Sequence, residues 1–414
     1  MRGGGQLCDK GYLGCDNSPD QGDSPDGPAC AGDGDGVSSG DWLLRLHHLR
    51  VAVDAARGAI HIVDDVSIAV GRGETVALVG ESGCGKSMTA FAVLRLLAPP
   101  CRVVSGEILL RPGDSGPPLD LLRASARRMR SIRGARIAMI FQEPMTALNP
   151  VYTVGEQIVE AIRLHRRVSP RNARARAVEL LRRVSLPEPE RIAREYPHRL
   201  SGGMLQRAVI AMALACAPQL LIADEPTTAL DATTQREVLD LLRDLQAADG
   251  MGMLLITHDL GIVADVADQV YVMYAGRIVE HGPTADVLSR PLHPYTQGLL
   301  ECTPRMGRGK QRLETIRGSV PDPSDWPSGC RFHPRCSLSE RLANAKTEAA
   351  SSTTMFPETV LFPDGRHALR RCVTGGDSEG APSPGDGDGA PSLRALRPGH
   401  FVACWEAEHQ SIGA

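Results

Sequence analysis

The segment Gly80-Glu81-Ser82-Gly83-Cys84-Gly85-Lys86-Ser87 has the residue types and spacing needed to cradle a phosphate chain. Its glycines let backbone N–H groups turn inward, Lys86 supplies a cation for the β- and γ-oxygens, and Ser87 offers a hydroxyl to Mg²⁺. Met88 follows and opens an apolar helical pattern over residues 88–97, so the positive end of a helix dipole faces the same phosphates. Further on, the apolar run 220–223 ends in Asp224 and Glu225. Asp224 is placed to hold Mg²⁺ through water, and Glu225 to orient or deprotonate an attacking water. Gln142 follows another apolar run, with a side chain able to reach Mg²⁺ and that water. His258 follows a third, within reach of the γ-phosphate. A pair of acids or a lone histidine after a strand is usually only a solvated loop residue. Here each stands at the end of an apolar run downstream of a phosphate loop.

These groups need a scaffold that brings four strand ends together. The runs 75–79, 137–141, 220–223 and 253–257 are short, apolar and closed by polar or glycine-rich residues, and helical patterns such as 235–245 separate them. That texture predicts an α/β fold with a mostly parallel sheet, whose ligands sit at the carboxyl ends of the strands. Residues 44–53 and 61–70 alternate more clearly and predict an antiparallel flank. Between Gln142 and Leu200 the patterns are helical and Arg-rich, as in 172–184, which predicts a helical insertion over 142–200. Past Pro291 the texture turns irregular, rich in Pro, Cys, His and Arg, with a low-complexity loop at 375–391. Residues 1–41 are rich in Gly, Asp, Ser and Pro and predict a disordered segment, since they hold too little apolar surface to offset chain entropy.

Composition narrows the classes. The 46 basic and 49 acidic residues give a net charge of −3, and aromatics are 4%. That balance lacks the basic footprint and the stacking platforms of nucleic-acid binding, so no nucleic-acid partner is expected. No apolar stretch approaches the ~20 residues that span a bilayer. The N-terminus carries no apolar signal core, so the expected place is inside the cell.

Leu200-Ser201-Gly202-Gly203-Met204-Leu205-Gln206-Arg207 decides the family. It resembles the signature of the ATP-binding subunits of ABC transporters, with Leu205 where a polar residue is more usual. The order phosphate loop, Gln142, signature, Asp224/Glu225, Ala229-Leu230-Asp231 and His258 is similar to that family throughout residues 42–290. The resemblance implies a P-loop ABC ATPase that binds ATP and Mg²⁺. Ser201, Gly202 and Gly203 would close over ATP held by a second subunit, with Asp231 beside them. It implies a homo- or heterodimer with another such ATPase, two integral membrane permease subunits and an extracytoplasmic solute-binding protein. The chain would then sit on the cytoplasmic face of the membrane. One departure stands out. The family usually stacks an aromatic on adenine, whereas Val53 falls at that place, with His61 a candidate substitute.

A narrower resemblance covers the remainder. Phe141-Gln142-Glu143-Pro144-Met145-Thr146-Ala147-Leu148-Asn149-Pro150, His293-Pro294-Tyr295-Thr296 and Gly329-Cys330-Arg331-Phe332-His333-Pro334-Arg335-Cys336 are similar to oligopeptide/dipeptide importer ATPases. The implied activity is ATP hydrolysis that energises peptide uptake, with nickel, glutathione or another small solute as alternative cargo and a soluble ABC ATPase as the further alternative. In the tail, Cys330, Cys336, Cys372 and Cys404 are spaced too loosely for the tight pairs that zinc prefers. Four scattered thiolates suit a 4Fe-4S cluster at least as well, with zinc the runner-up and ordinary buried thiols the plain alternative.

Overall fold

The computed structural model describes residues 42–56, 58–111, 116–302, 315–349, 359–362, 366–374 and 390–407. The N-terminal segment expected to be disordered, with Cys8, Cys15 and Cys30, and most of the low-complexity loop lie outside the described residues. In chain order the strands are β1 (Trp42–Ala55), β2 (Gly58–Gly71), β3 (Thr75–Val79), β4 (Cys101–Leu110), β5 (Leu119–Asp120), β6 (Ile137–Ile140) and β7 (Leu220–Asp224). They continue as β8 (Gly252–Thr257), β9 (Gln269–Tyr274), β10 (Arg277–Pro283), β11 (Thr359–Leu361), β12 (His367–Leu369), β13 (Arg394–Arg397) and β14 (His400–Val402).

The central sheet runs β13-β14-β10-β9-β3-β8-β7-β6. Its middle is parallel: β3 pairs in parallel with β8 and β9, and β7 with β6 and β8. Strands buried on both faces read as continuous apolar runs, yet the two faces still alternate. Ala138, Ile140, Leu221 and Ala223 face the helical side of the core. Ile137, Met139, Leu220 and Ile222 face the other side, where the antiparallel sheet β2-β1-β4-β5 packs.

The stretch between Gln142 and the signature is helical. The helix Val154–His165 starts at a capping box, in which Thr153 and Glu156 satisfy each other's backbone donors. The helix Pro170–Arg183 is capped by Ser169, with Pro170 at its first position. Ile158, Ile162, Ala173, Ala177, Leu180 and Leu181 bury one face of the pair, which packs against the helix Gly202–Ala213. Among the described residues, no helix is long and apolar enough to cross a membrane.

Two expectations need correction. The helix after the phosphate loop spans Lys86–Leu94, ending where Arg95 turns left-handed (φ 51°), short of residue 97. The tail is less irregular than its composition implied. β14 pairs antiparallel with β10 and β13 with β14, so the chain's end extends the central sheet.

That junction is stitched by buried polar groups. Glu280 accepts the N–H groups of Leu292 and His293 at 2.7 and 2.9 Å and pairs with His400 Nε2 at 2.7 Å. His281 is stacked between Tyr271 and Phe401, with ring centroids at 4.7 and 4.5 Å. Burial, helped by the charge of His400, depresses the His281 pKa to about 4, and burial depresses that of His293 likewise to about 4. Both values lie below that of an unfolded histidine. The stability they contribute is therefore fully present above about pH 6.5 and is lost as pH falls towards 4, by up to about 3 kcal/mol per group. Thermal unfolding followed from pH 7 to 4.5 should show this loss. His281→Phe, which keeps the stacking, should flatten the slope; an unchanged slope would remove His281 from the account.

Candidate functional site

The phosphate loop leaves β3 in a backbone that only glycine tolerates. Gly80 (φ 156°) is so close to the Met273 carbonyl that an added Cβ would lie 2.2 Å from its oxygen. Lys86 is buried, and its Nζ donates to the carbonyls of Gly80 and Glu81 at 2.7 and 2.9 Å. The Gly276 N–H donates to the Cys84 carbonyl at 3.0 Å, tying the loop to the turn after β9.

The parallel register brings the ends of β6, β7, β8 and β3 to one edge. At the end of β7, Glu225 adopts a left-handed backbone (φ 47°), unfavourable for a residue with a side chain, and its N–H donates to Ile256 O at 2.9 Å. The twist aims the carboxylate at its neighbours. Glu225 Oε2 accepts from Gln142 Nε2 at 3.1 Å and from Thr228 Oγ1 at 2.8 Å, and Oε1 lies 3.2 Å from His258 Nδ1. Burial alone would raise the Glu225 pKa. Hydrogen bonds from Thr228 and His258, with the charges of His258 and Lys86, outweigh it and hold the group below the usual carboxylate value. An ionised, fixed acceptor suits the orientation of a water molecule.

Asp224 next door is tuned the other way. Burial and the charge of Glu225 push its pKa up, while a hydrogen bond from Ser87 and the charge of Lys86 offset part of the rise. Its Oδ1 is buried with no hydrogen-bond partner among the described residues. A buried carboxylate oxygen left bare beside a serine hydroxyl is costly unless a cation or its water meets it. Ser87 and Asp224 therefore fit Mg²⁺, with Gln142 at the adjoining strand end. Lys86, Ser87, Gln142, Asp224, Glu225 and His258 form one cluster.

The signature forms a second group. Ser201 caps the helix Gly202–Ala213 by accepting the Met204 N–H at 3.4 Å. A Cβ at Gly203 would stand 2.6 Å from Thr234 Cγ2, so glycine is required there. Asp231 caps the helix Ala232–Asp249, accepting from the N–H groups of Thr233 and Thr234 at 3.1 and 3.0 Å and from Thr234 Oγ1 at 2.7 Å. Signature and Asp231 are thus packed through Thr234, and the glycines stand at the start of the signature helix, where backbone N–H groups lack intrahelical partners.

Beside β2, one feature was not legible from the local sequence. Val53 pairs with Ile60 and Cys101 in the antiparallel flank. The aromatic next to this strand comes from far along the chain: Trp326 Nε1 donates to His61 O at 2.9 Å, and Arg331 covers the indole at 4.9 Å. A tryptophan at the fringe of a proline-rich tail gives no periodic signal that it returns to the first hairpin.

Cys330, Cys336, Cys372 and Cys404 line one small cavity with Phe332 and Trp405. Burial raises the thiol pKa to about 11 at Cys336 and about 12 at Cys404, and raises it well above the usual value at Cys330, where the neighbouring thiols add to the effect. Among the described residues, no group of three or more His, Cys, Asp or Glu side chains is arranged to hold a metal ion.

A phosphate loop, four converging strand ends and a glycine nest on a parallel sheet are the features of a P-loop ATPase of the ABC type. A family model described as ABC transporter matches residues 63–228, and one described as the C-terminal region of oligopeptide/dipeptide transporters matches residues 279–341. A Brucella melitensis protein that carries the name peptide import ATP-binding protein is 53% identical over 317 residues, 75% of this chain and 94% of the relative. The D,D-dipeptide transport ATP-binding protein DdpD of Escherichia coli is 48% identical over 295 residues, 71% of this chain and 88% of the relative. Among solved structures, a dimeric ATP-binding cassette in a post-hydrolysis state bound to ADP and Pi aligns with TM-score 0.52 and 27% identity, over 58% of this chain and 99% of that one. A Clostridium perfringens cassette from an ABC transporter complex aligns with TM-score 0.51 and 27% identity, over 61% of this chain and 92% of that one. The chain belongs to the ABC transporter ATP-binding family, with the oligopeptide/dipeptide-transporter C-terminal region, and is an ATP-hydrolysing subunit.

Proposed function

We propose that this chain is one of two ATPase subunits that power import of di- and oligopeptides through a pair of integral membrane permeases, with an extracytoplasmic binding protein delivering the cargo. The observation that carries this reading is the union in one chain of a complete ATP site with the oligopeptide/dipeptide-transporter tail, in a protein 53% identical to a peptide import relative. Each site takes Lys86 and Ser87 from one subunit and the Ser201 nest from the other, so ATP joins two copies and hydrolysis parts them. Lys86 leaves its loop carbonyls for the phosphates. Glu225 orients the attacking water and receives its proton, held in place by Thr228, His258 and Gln142. Ser87 and Asp224 would hold Mg²⁺, which would supply positive charge against the phosphates.

An apolar groove beside Gln142, lined by Leu96, Phe141, Leu164 and Met212, supports permease docking on the helical stretch. Phe141 and Leu164 stay 39% and 71% exposed, which leaves apolar surface for a partner to cover. Docking there places the subunit on the cytoplasmic face of the membrane and sets Gln142 between partner and nucleotide. Mild detergent extraction should co-purify two integral membrane proteins with this chain. Recovery of the chain alone, from membranes that hold both permeases, would contradict the reading.

The four tail cysteines suit a structural 4Fe-4S cluster, with zinc the alternative. Four thiols facing one cavity repel each other as thiolates, and a bound cation reverses that penalty. Anaerobically purified protein is expected to be brown, with broad absorbance near ~400 nm and about four irons per chain. Zinc alone would select the alternative, and folded protein with neither metal would leave only buried thiols.

A further inference from the structure

The tail does more than extend the sheet, because two of its residues grip the phosphate loop itself. Arg335 donates from Nη1 to Glu81 Oε2 at 2.7 Å and from Nη2 to Glu81 Oε1 at 3.0 Å, a bidentate pair across 254 residues of sequence. Tyr295 accepts the Glu81 N–H on its hydroxyl at 2.8 Å. The third handle of the same residue, its carbonyl, accepts from Lys86 Nζ at 2.9 Å. Side chain, N–H and C=O of Glu81 are therefore all engaged, and the last of them by the phosphate-binding lysine.

The grip is rigid on the tail side. The Arg335 side chain is only 4% exposed, against 31% for Glu81. Its Nε donates to Arg317 O at 2.8 Å and Nη2 also to Gly318 O at 3.3 Å, while Nη1 lies 3.4 Å from the Tyr274 hydroxyl. Tyr274, Tyr295 and Phe332 pack ring on ring behind it, with centroids 4.7–5.4 Å apart. A planar, fully ionised fork locked in this way imposes an orientation on a carboxylate that a lysine could not.

We propose that Arg335, backed by Tyr295, is a positioning residue for ATP binding: it fixes Glu81, and through Glu81 the phosphate loop and Lys86, in the geometry that receives the nucleotide. The proposal rests on the assignment of residues 80–87 as the ATP phosphate site. Neither residue reaches the phosphates; both act by preorganising the loop, which lowers the cost of ordering it on binding.

The test is titration of the full-length purified chain with a fluorescent ATP analogue, alongside its ATPase kinetics and thermal unfolding. Arg335→Ala should raise the nucleotide Kd and the KM by roughly tenfold, the scale of a charge-assisted hydrogen-bonded pair, while kcat at saturation stays within about threefold. Arg335→Lys should recover part of the affinity. Glu81→Ala should raise Kd as much as Arg335→Ala, and the double variant should raise it no further than either, because the two act as one unit. Tyr295→Phe, which preserves the packed ring, should raise Kd a few-fold and serves where Arg335→Ala lowers the unfolding temperature. A purely structural role would shift unfolding and the active fraction but leave Kd alone. Unchanged Kd in folded Arg335→Ala and Tyr295→Phe, or additive losses in the double variant, overturns the proposal while Lys86→Ala still abolishes binding. If Lys86→Ala binds as tightly as the parent, the assignment of the phosphate site itself fails.

Discussion

Replacing Glu225 by Gln is expected to lower ATP hydrolysis by about 10²–10⁴-fold while ATP still binds. The amide keeps the size of the side chain and a hydrogen bond to Thr228. It loses the charge that Thr228, His258 and Lys86 hold in place, and with it the site that takes the proton from water. The loop contacts of Lys86 are untouched, so phosphate binding survives. With hydrolysis stalled, two ATP molecules should hold two chains together. Size-exclusion chromatography with ATP and Mg²⁺ should then show a dimer that ADP does not support. A Glu225→Gln protein that hydrolyses ATP at the parental rate would remove Glu225 from the catalytic role.

The second large effect separates the two halves of the site. Lys86→Ala should abolish nucleotide binding within its own chain, because the ammonium is the buried cation of the loop and no other Lys or Arg lies within residues 80–87. Ser201→Arg should leave ATP binding intact yet reduce hydrolysis about as severely. The serine caps the signature helix, and a long cation there covers the nest that receives the partner's nucleotide. Mixing the two variants sharpens the test. A heterodimer of Lys86→Ala with Ser201→Arg contains one site with both defects and one with neither, so some hydrolysis should return. Equal loss of ATP binding in both variants, or no recovery on mixing, would contradict a site shared between chains.

The parts legible in the sequence are those with local causes. The runs at 75–79, 220–223 and 253–257 are strands because buried parallel strands must be apolar on both faces. The phosphate loop, Asp224/Glu225 and His258 follow them directly, so their convergence follows from parallel order alone. The capped helices between Gln142 and the signature carried a 3.6-residue period that residues 172–184 displayed openly.

What stayed hidden depends on contacts between distant segments. Nothing near Glu81 announces Arg335, and nothing near His61 announces Trp326, because an ion pair or an indole hydrogen bond across more than 250 residues leaves no period. The tail strands β13 and β14 are 4 and 3 residues long, too short to alternate visibly, and exist because β10 offers an edge. The left-handed turn at Glu225 is likewise set by its bond to Ile256 on the neighbouring strand.

Peptide uptake tests the central claim most directly. Cells carrying the complete transporter, with this chain as parent or as Glu225→Gln, should be given a labelled di- or oligopeptide and the accumulated label measured. Accumulation that depends on the parent chain and vanishes in Glu225→Gln is the predicted result. Equal accumulation with both chains, while purified parent hydrolyses ATP and the variant does not, would contradict it.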